Sequence, residues 1–255
     1  MEQINFQVIS LDSLADRYLD FLAKNSRDDL SFTKFSAIDG KALNREFLVA
    51  NGVLSSELDY KLGALGCAMS HLSLWNQAVQ TNTIIHIAED DAVFRHDLGE
   101  HMRRVLGTIN DFDLIFWGFN RDLNAAFEIP GLGGCMAIME EADIKNEDDL
   151  IAYQATSCPV FLAKSTRAFG TLSYSISPTG AQKLMTACLP LRPMTQDVSW
   201  GDGIGGSLDL IFNNVGIDVL MGVILHQQLN SYLMFPPLAI SLGLQGPPST
   251  TQTDS

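Results

Sequence analysis

The feature of the sequence that most limits its fold is an alternation of short apolar runs with helical patterns. Apolar runs of strand length stand at 6–11 (FQVISL), 83–88 and 113–118, and amphipathic patterns stand at 66–80 and 98–109. An apolar period of about 3.6 residues indicates a helix, and a short apolar run between turn residues indicates a buried strand. Strands that alternate with helices form sheets covered by helices. The sequence therefore predicts an α/β fold, with a Rossmann-type mixed, mostly parallel sheet flanked by helices.

The expected organisation is a single domain over residues 1–245. The alternation stops at 119–159, where glycines and an acidic stretch predict a loop or an inserted subregion. It returns with a strand at 172–176 and a helix that Ser177 would cap. The last ten residues, 246–255 (GPPSTTQTDS), predict a flexible tail.

The charge of the chain limits the partners that we expect. Its 16 basic and 30 acidic residues give a formal net charge of -14 at pH 7. Such a surface repels nucleic acid backbones and anionic lipid headgroups, so we expect no nucleic acid partner. A phosphorylated small molecule can still bind where a cation or a ring of backbone N–H groups reverses the local charge.

Several features of the sequence predict a cytoplasmic location. The segment MEQINFQVISLD lacks the charged start, apolar core and cleavage site of a secretory signal. The apolar stretch VGIDVLMGVIL is too short to span a bilayer. The cysteines are Cys67, Cys135, Cys158 and Cys188. They lack the paired spacing typical of structural zinc, which indicates free thiols in a reducing compartment. Peripheral contact with the inner face of the membrane is left open.

Three consecutive carboxylates, Glu89, Asp90 and Asp91, follow the apolar run that ends at residue 88. In open α/β sheets, ligands bind outside the carboxyl ends of the strands. Because side chains alternate along an extended chain, we expect Glu89 and Asp91 to point one way and Asp90 the other. Two carboxylates on one side can bind a hard divalent cation, which in turn can hold a diphosphate. The alternative is a solvated strand end whose acidic residues cap the next helix.

The segment IIHIAEDDAVF around these carboxylates resembles the acidic motif of glycosyltransferase family 25, the lipooligosaccharide and procollagen galactosyltransferase group. Six further segments resemble motifs of that family and stand in the same order. They are VISLDSLADR, AIDG, LGCAMSHLSLW, DLIFWG, SYSISPTGAQKLM and FPPLA. The resemblance covers nearly the whole chain apart from 119–159 and the tail, and it implies a GT-A-like fold.

The resemblance also implies a reaction. Members transfer a sugar, with the hexose galactose expected here, from a UDP-sugar to a glycan hydroxyl with inversion at the anomeric carbon. By analogy, Glu89 and Asp91 would bind Mn²⁺ or Mg²⁺, with Asp91 as the direct catalytic ligand, and Glu89 and Asp90 would help to hold the donor. The ion would stabilise the negative charge that the leaving UDP gains. A bacterial surface glycan such as lipooligosaccharide is the expected acceptor.

Five other residues match motifs that imply contacts with the nucleotide sugar. They are Arg17, Asp39, Gly40, Ser70 and His71. The residues alone leave alternatives open: Arg17 as a cation on a helix surface, Asp39 with Gly40 as a simple turn, and His71 as a hydrogen-bonded helix histidine. His86 lies within an apolar run, where we expect a core residue bonded to the backbone.

Inversion requires a base, which we expect among three aspartates between the SYSISPTGAQKLM segment and FPPLA. Asp209 is preferred because an apolar segment follows it as in the family, and Asp197 and Asp202 stay open. The sequence departs from the family at Ala64, where a glutamate usually precedes the G-C pair. That departure leaves open a protein that binds a nucleotide sugar or glycan without turnover. A metal-dependent phosphohydrolase would use similar carboxylates.

Overall fold

A computed structural model describes most of the chain. The described residues are 3–120, 125–139, 146–201, 207–213, 216–224 and 228–241. The backbone alone is described at 195–201, 207–213 and 223–224. The tail that the sequence predicts at 246–255 lies outside the described residues.

Strands and helices alternate through the described part of the chain. The strands are β1 (Ile4–Ser10), β2 (Leu30–Ser36), β3 (Ile85–Glu89), β4 (Ala92–Phe94), β5 (Leu114–Gly118), β6 (Ala125–Ile129), β7 (Gly133–Ala137), β8 (Phe161–Arg167), β9 (Ser173–Ile176), β10 (Thr195–Gly201), β11 (Ser207–Asn213), β12 (Ser231–Phe235) and β13 (Ala239–Ser241). The helices are α1 (Ala15–Asn25), α2 (Arg45–Ala50), α3 (Leu62–Thr81), α4 (Leu98–Thr108), α5 (Glu147–Gln154), α6 (Pro178–Cys188) and α7 (Ile217–Val219), which a π-helical turn continues at Leu220–Ile224.

Among the described strands, eleven form one mixed sheet. Its order is β2-β1-β3-β9-β5-β12-β8-β6-β7, and β13 joins β4 to β5. Parallel pairing links β2, β1 and β3 at one edge and β5 to β12 further in. The strands β9, β8, β6 and β7 pair with their neighbours in antiparallel fashion. The predicted α/β fold with a mixed sheet is confirmed, and its parallel part is concentrated at the β2-β1-β3 edge.

Both faces of the sheet are buried, as the alternation along β5 shows. Leu114 and Phe116 belong to the core that includes residues of α3 and α6, whereas Ile115 and Trp117 belong to the core that includes residues of α1 and α4. All four side chains are fully buried. A strand with two buried faces has a continuous apolar sequence, which explains the run at 113–118.

The structure differs from the sequence prediction of a loop or inserted subregion at 119–159. Its described part contains the hairpin of β6 and β7, and β6 pairs with β8. Ala125 and Phe127 of β6 are buried in the core, so this strand is part of the sheet. The acidic residues at 147–149 form the first turn of α5, which Asn146 caps. Negative charge is favourable at a helix N-terminus, which explains an acidic stretch without an apolar pattern.

Helix α6 begins where the sequence predicts. The side chain of Ser177 accepts the backbone N–H of Gly180 at 3.0 Å, and Pro178 is the first helical residue. A Cβ atom on Gly180 would stand 2.2 Å from the carbonyl oxygen of Asp113, so this glycine lets the helix lie directly against the start of β5. None of the described helices is long and apolar enough to cross a membrane.

Candidate active site

A cavity of about 320 Å³ opens at the carboxyl ends of the parallel strands β2, β1 and β3. Its walls are the turn after β1, the loop 37–41 after β2, residues 89–91 after β3, and the first half of α3. Open α/β sheets bind their ligands at this edge, and a concave pocket there is the expected binding site. The cavity therefore lies where the carboxylate motif predicted a site.

Two glycines let the loop after β2 lie directly against α3. A Cβ atom on Gly40 would stand 1.8 Å from the carbonyl oxygen of Leu62, and one on Gly66 would stand 2.4 Å from that of Ile38. Ser70 secures the same contact, because its hydroxyl accepts the N–H of Ile38 at 2.9 Å and donates to the carbonyl of Gly66 at 2.8 Å. Gly40 and Ser70 thus shape the cavity wall, and the hydroxyl of Ser70 is already bonded within the protein.

Acidic residues outnumber basic residues in the lining of the cavity. The carboxylates are Asp39, Glu89, Asp90 and Asp91. The cations among the described lining residues are Arg17 and Lys41, and the sequence analysis did not single out Lys41. Asp39 also has a structural role, since its carboxylate accepts the N–H of Lys41 at 2.9 Å. Four carboxylates against two cations leave excess negative charge, which opposes the binding of a diphosphate on its own.

Arg17 and Asp90 form a largely buried ion pair beside the cavity. Nη2 and Nε of Arg17 lie 2.5 Å and 2.8 Å from Oδ1 of Asp90. Asp90 and Asp91 form the tight turn between β3 and β4, so they are not part of an extended strand. Asp90 pairs with Arg17 of α1, whereas Glu89 faces His71 of α3 on the other side of the sheet, as expected from their alternation. Glu89, Asp90 and Asp91 all belong to the lining of the cavity.

The carboxylates of Glu89 and Asp91 differ in their hydrogen-bond partners. Glu89 accepts a hydrogen bond from Thr171, and its Oε1 lies 3.5 Å from Nε2 of His71. Burial acts to raise the pKa of Glu89, but His71, Thr171 and Arg17 outweigh burial, so this pKa is lowered. Burial and the charge of Glu89 raise the pKa of Asp91 to about 7, and its buried Oδ1 has no hydrogen-bond partner in the described part of the chain. A cation between the two carboxylates would relieve their repulsion.

His71 is fully buried and held with one ring nitrogen toward Glu89. Its Nδ1 lies 2.8 Å from the hydroxyl of Tyr174, which accepts the indole N–H of Trp75 at 2.8 Å. The hydroxyl of Tyr174 can donate its one proton to Nδ1 or accept a proton from it, so this contact allows the ring proton on either nitrogen. Among the described residues, Nε2 has no hydrogen-bond partner, since 3.5 Å to Glu89 is long for such a bond.

The cavity lies within a segment that matches a known family. The family model described as glycosyltransferase family 25 (LPS biosynthesis protein) matches residues 3–200. The chain belongs to glycosyltransferase family 25. This confirms the resemblance carried by the sequence motifs.

Curated relatives of family 25 are similar over part of their own length. Procollagen galactosyltransferase 1 of Danio rerio is 27% identical over 267 residues, which cover 97% of this chain and 38% of that protein. Procollagen galactosyltransferase 2 of Mus musculus is 26% identical over 195 residues, covering 71% of this chain and 27% of that protein. A glycosyltransferase 25 family member of Drosophila melanogaster is 28% identical over 167 residues, which cover 60% of this chain and 23% of that protein. The chain thus spans less than half the length of these relatives.

One carboxylate near the cavity was missed by the sequence analysis. Asp218 is the second residue of α7. Burial raises the pKa of Asp218, the charge of Glu89 adds to that rise, and His71 opposes it. Asp218 is therefore within electrostatic range of both residues, and it is not among the described residues that line the cavity. The sequence feature that could have revealed Asp218 is its position as the single charged residue in the apolar stretch 215–225, between α6 and the FPPLA segment.

The three aspartates that the sequence analysis offered as the base come later in the chain than the residues that line the cavity. Asp197 belongs to β10 and Asp209 to β11, a pair of strands separate from the main sheet. Their backbone alone is described, and Asp202 lies outside the described residues. The assignment of the base to Asp209 stays a prediction.

Ala64 marks the departure from the family pattern. It lies in the first turn of α3, packs against the hydrophobic core and is not among the residues that line the cavity. The alternative of binding without turnover, which this departure raised, therefore stays open.

Two sets of side chains are suited to a cation, and they share Glu89. Glu89 and Asp91 offer carboxylate oxygens, the ligands that Mg²⁺ and Mn²⁺ prefer, and the unpartnered Oδ1 of Asp91 fits such an ion. The ligand atoms of Cys67, His71 and Glu89 lie within 4.8 Å of one another. The sequence analysis missed this second set, because it searched for paired cysteines rather than a cysteine and a histidine one helical turn apart.

Proposed function

We propose that the protein is an inverting, metal-dependent glycosyltransferase that moves a hexose, galactose, from a UDP-sugar to a glycan hydroxyl. Membership in family 25 supports the class of reaction, and the galactosyltransferase names of the relatives support the sugar. The family description as an LPS biosynthesis protein supports a surface glycan such as lipooligosaccharide as acceptor. A cytoplasmic location stays a prediction from sequence, and peripheral contact with the inner face of the membrane stays open.

The observation that carries this proposal is a group of unpartnered polar atoms in one cavity. Oγ of Ser10, Nε2 of His71 and Oδ1 of Asp91 are buried and find no hydrogen-bond partner among the described residues, and all three residues line the cavity. Buried polar groups are normally hydrogen-bonded, and an unpaired one costs about 1–3 kcal/mol. Three such atoms in one cavity support a polar ligand that supplies their partners.

The charge of the cavity supports a cation as part of that ligand. Glu89 and Asp91 would hold Mn²⁺ or Mg²⁺, while Asp90 is engaged with Arg17. When bound, the ion would neutralise the charge that develops on the departing diphosphate. Arg17, paired with Asp90, and the exposed Lys41 line the same cavity and would contact phosphate oxygens of the donor.

The base that takes the proton of the acceptor hydroxyl has two candidates. Asp209 is supported by the family motif, and Asp218 is supported by its position near Glu89 and His71. The raised pKa of Asp218, caused by burial, brings this carboxylate closer to neutral pH, as suits a proton acceptor. Asp218→Asn and Asp209→Asn separate them, because replacing the base lowers kcat by about 100-fold or more and leaves UDP binding intact. If both variants keep wild-type turnover, neither residue is the base.

A panel of donors tests the proposed reaction. UDP-galactose, UDP-glucose and UDP-N-acetylglucosamine are each supplied with and without Mn²⁺, and UDP release is followed for the wild type and for Asp91→Ala. We expect metal-dependent release from UDP-galactose that the substitution abolishes. Binding of UDP without release, even with glycan acceptors present, would favour a binding protein without turnover. Release of inorganic phosphate in place of sugar transfer would favour a phosphohydrolase.

A further inference from the structure

We propose that Cys67, His71 and Glu89 form a binding site for a borderline-soft divalent cation of the Zn²⁺ class. Cys67 and His71 stand one turn apart on α3, and Glu89 ends the neighbouring strand β3. One ligand atom from each residue, the Cys67 Sγ among them, lies within 4.8 Å of the other two. This inference needs no nucleotide sugar and is independent of the proposed function.

The spacing of the three ligand atoms suits such an ion after a small adjustment. Zn²⁺ binds sulfur at about 2.3 Å and nitrogen or oxygen at about 2.0–2.2 Å, so tetrahedral ligands lie roughly 3.3–3.8 Å apart. The observed limit of 4.8 Å is therefore about 1.5 Å too wide at most. Side-chain rotations of Cys67 and Glu89, both only partly buried, can close that gap without movement of the backbone.

The strongest sign of a ligand at this site is the ring of His71. The side chain is fully buried, and its Nε2 has no hydrogen-bond partner among the residues that the structure describes. Nδ1 lies 2.8 Å from the hydroxyl of Tyr174, which also accepts the indole N–H of Trp75. When Nε2 binds a metal, the ring proton stands on Nδ1 and is donated to that hydroxyl oxygen, as metal-binding histidines characteristically donate their second ring N–H. The structure thus holds Nε2 toward Glu89 before any metal arrives.

The chemistry of the ligands selects the metal. A thiolate together with an imidazole favours Zn²⁺ over Mn²⁺ and Mg²⁺, which prefer oxygen ligands alone. The thiol of Cys67 releases its proton to solvent as the metal–sulfur bond forms. The carboxylates of Asp91 and Asp218 act electrostatically on Cys67, so further negative charge surrounds the site. Because Glu89 belongs to both sets, Zn²⁺ here would compete with a hard ion held by Glu89 and Asp91.

The test is the absorption spectrum of Co²⁺ added to the metal-free protein, without nucleotide or sugar. Co²⁺ replaces Zn²⁺ in such sites, and a sulfur ligand gives an intense near-ultraviolet band absent from sites with oxygen ligands alone. We expect the band in the wild type, its loss on titration with Zn²⁺, and its absence in Cys67→Ser. Cys188→Ser is the matched control, since Cys188 is a buried helical cysteine that does not belong to the cluster and should keep the band.

A second measurement uses the wild type alone, in case Cys67→Ser does not fold. Alkylation of each cysteine is followed by mass spectrometry with and without Zn²⁺. Zn²⁺ should slow alkylation of Cys67 by about tenfold or more, while the exposed Cys158 reacts at an unchanged rate. The proposal is overturned if no sulfur band appears, if a folded Cys67→Ser keeps it, or if Zn²⁺ leaves alkylation of Cys67 unchanged. None of these outcomes depends on UDP release, so the two proposals fail separately.

Discussion

The two faces of strand β9 carry nearly the same hydrogen-bonded group in different surroundings. On one face, the hydroxyl of Tyr174 accepts the indole N–H of Trp75 and lies 2.8 Å from Nδ1 of His71. On the other face, the hydroxyl of Ser175 accepts the indole N–H of Trp117 at 2.7 Å and lies 2.6 Å from Nδ1 of a second histidine. That histidine is His86 of β3. Each group joins a tryptophan, a hydroxyl and a histidine.

The two groups differ in what the histidine faces. His71 turns Nε2 toward Glu89 at the edge of the cavity. His86 lies within the sheet, with its ring 5.8 Å from that of Phe6, and burial lowers its pKa from 6.5 to about 4. The expectation that His86 bonds to the backbone is replaced by its bond to Ser175. The comparison teaches that the carboxylates at the strand ends, rather than the hydrogen bonds of the ring, distinguish a site histidine from a core histidine.

The largest effect is expected at Glu89, the carboxylate that His71 faces. Glu89→Gln removes the charge that both proposed cation sites share, so kcat/KM for UDP release should fall by about 100-fold or more. Steady-state kinetics at saturating Mn²⁺ measure this fall in kcat/KM. Glu100→Gln, on the exposed surface of α4, is the matched control and should keep wild-type kinetics. A loss at Glu89 of less than about threefold would remove this residue from the site.

The second effect separates the two histidines directly. His71→Gln removes the ring beside the cavity and should lower kcat/KM by about tenfold or more, whereas His86→Gln should change it by less than about threefold. The same UDP-release assay compares both variants at equal folded concentration, verified by circular dichroism. Equal losses in the two variants would contradict the distinction, because both effects would then come from the sheet.

The third effect concerns stability and should be similar on both faces. Tyr174→Phe and Ser175→Ala each leave an indole N–H and a histidine nitrogen without their hydroxyl, which should lower the free energy of unfolding by about 1–3 kcal/mol. Urea denaturation at pH 7.5 measures the two values. If the Ser175 variant were as stable as the wild type, the two groups would not be structural equivalents.

The last effect is the pH dependence that His86 contributes. Its pKa is depressed in the folded state, so its contribution to stability is present above pH 6.5 and is lost as the pH falls toward about 4. Over that window, the free energy of unfolding of the wild type should decrease by roughly 1–3 kcal/mol more than that of His86→Gln. Urea denaturation at a series of pH values checks this difference. Parallel curves for the two proteins would contradict the pKa shift.

Part of the site could be predicted because it depends on local sequence. The alternation of strands and helices gave the sheet, and the apolar run before Glu89 located the strand end where the cavity lies. Asp218 and the pairing of Cys67 with Glu89 were missed because they depend on contacts between distant segments, which no local period reveals.

The central claim is that the strand-end cavity binds a nucleotide diphosphate through a cation held by Glu89 and Asp91. Calorimetric titration of UDP into the metal-free wild type and Asp91→Asn, each with and without Mn²⁺, tests it most directly. We expect Mn²⁺ to tighten UDP binding by about tenfold or more in the wild type and to have little effect in the variant. If UDP fails to bind the wild type, or binds equally well with and without Mn²⁺, the claim is wrong.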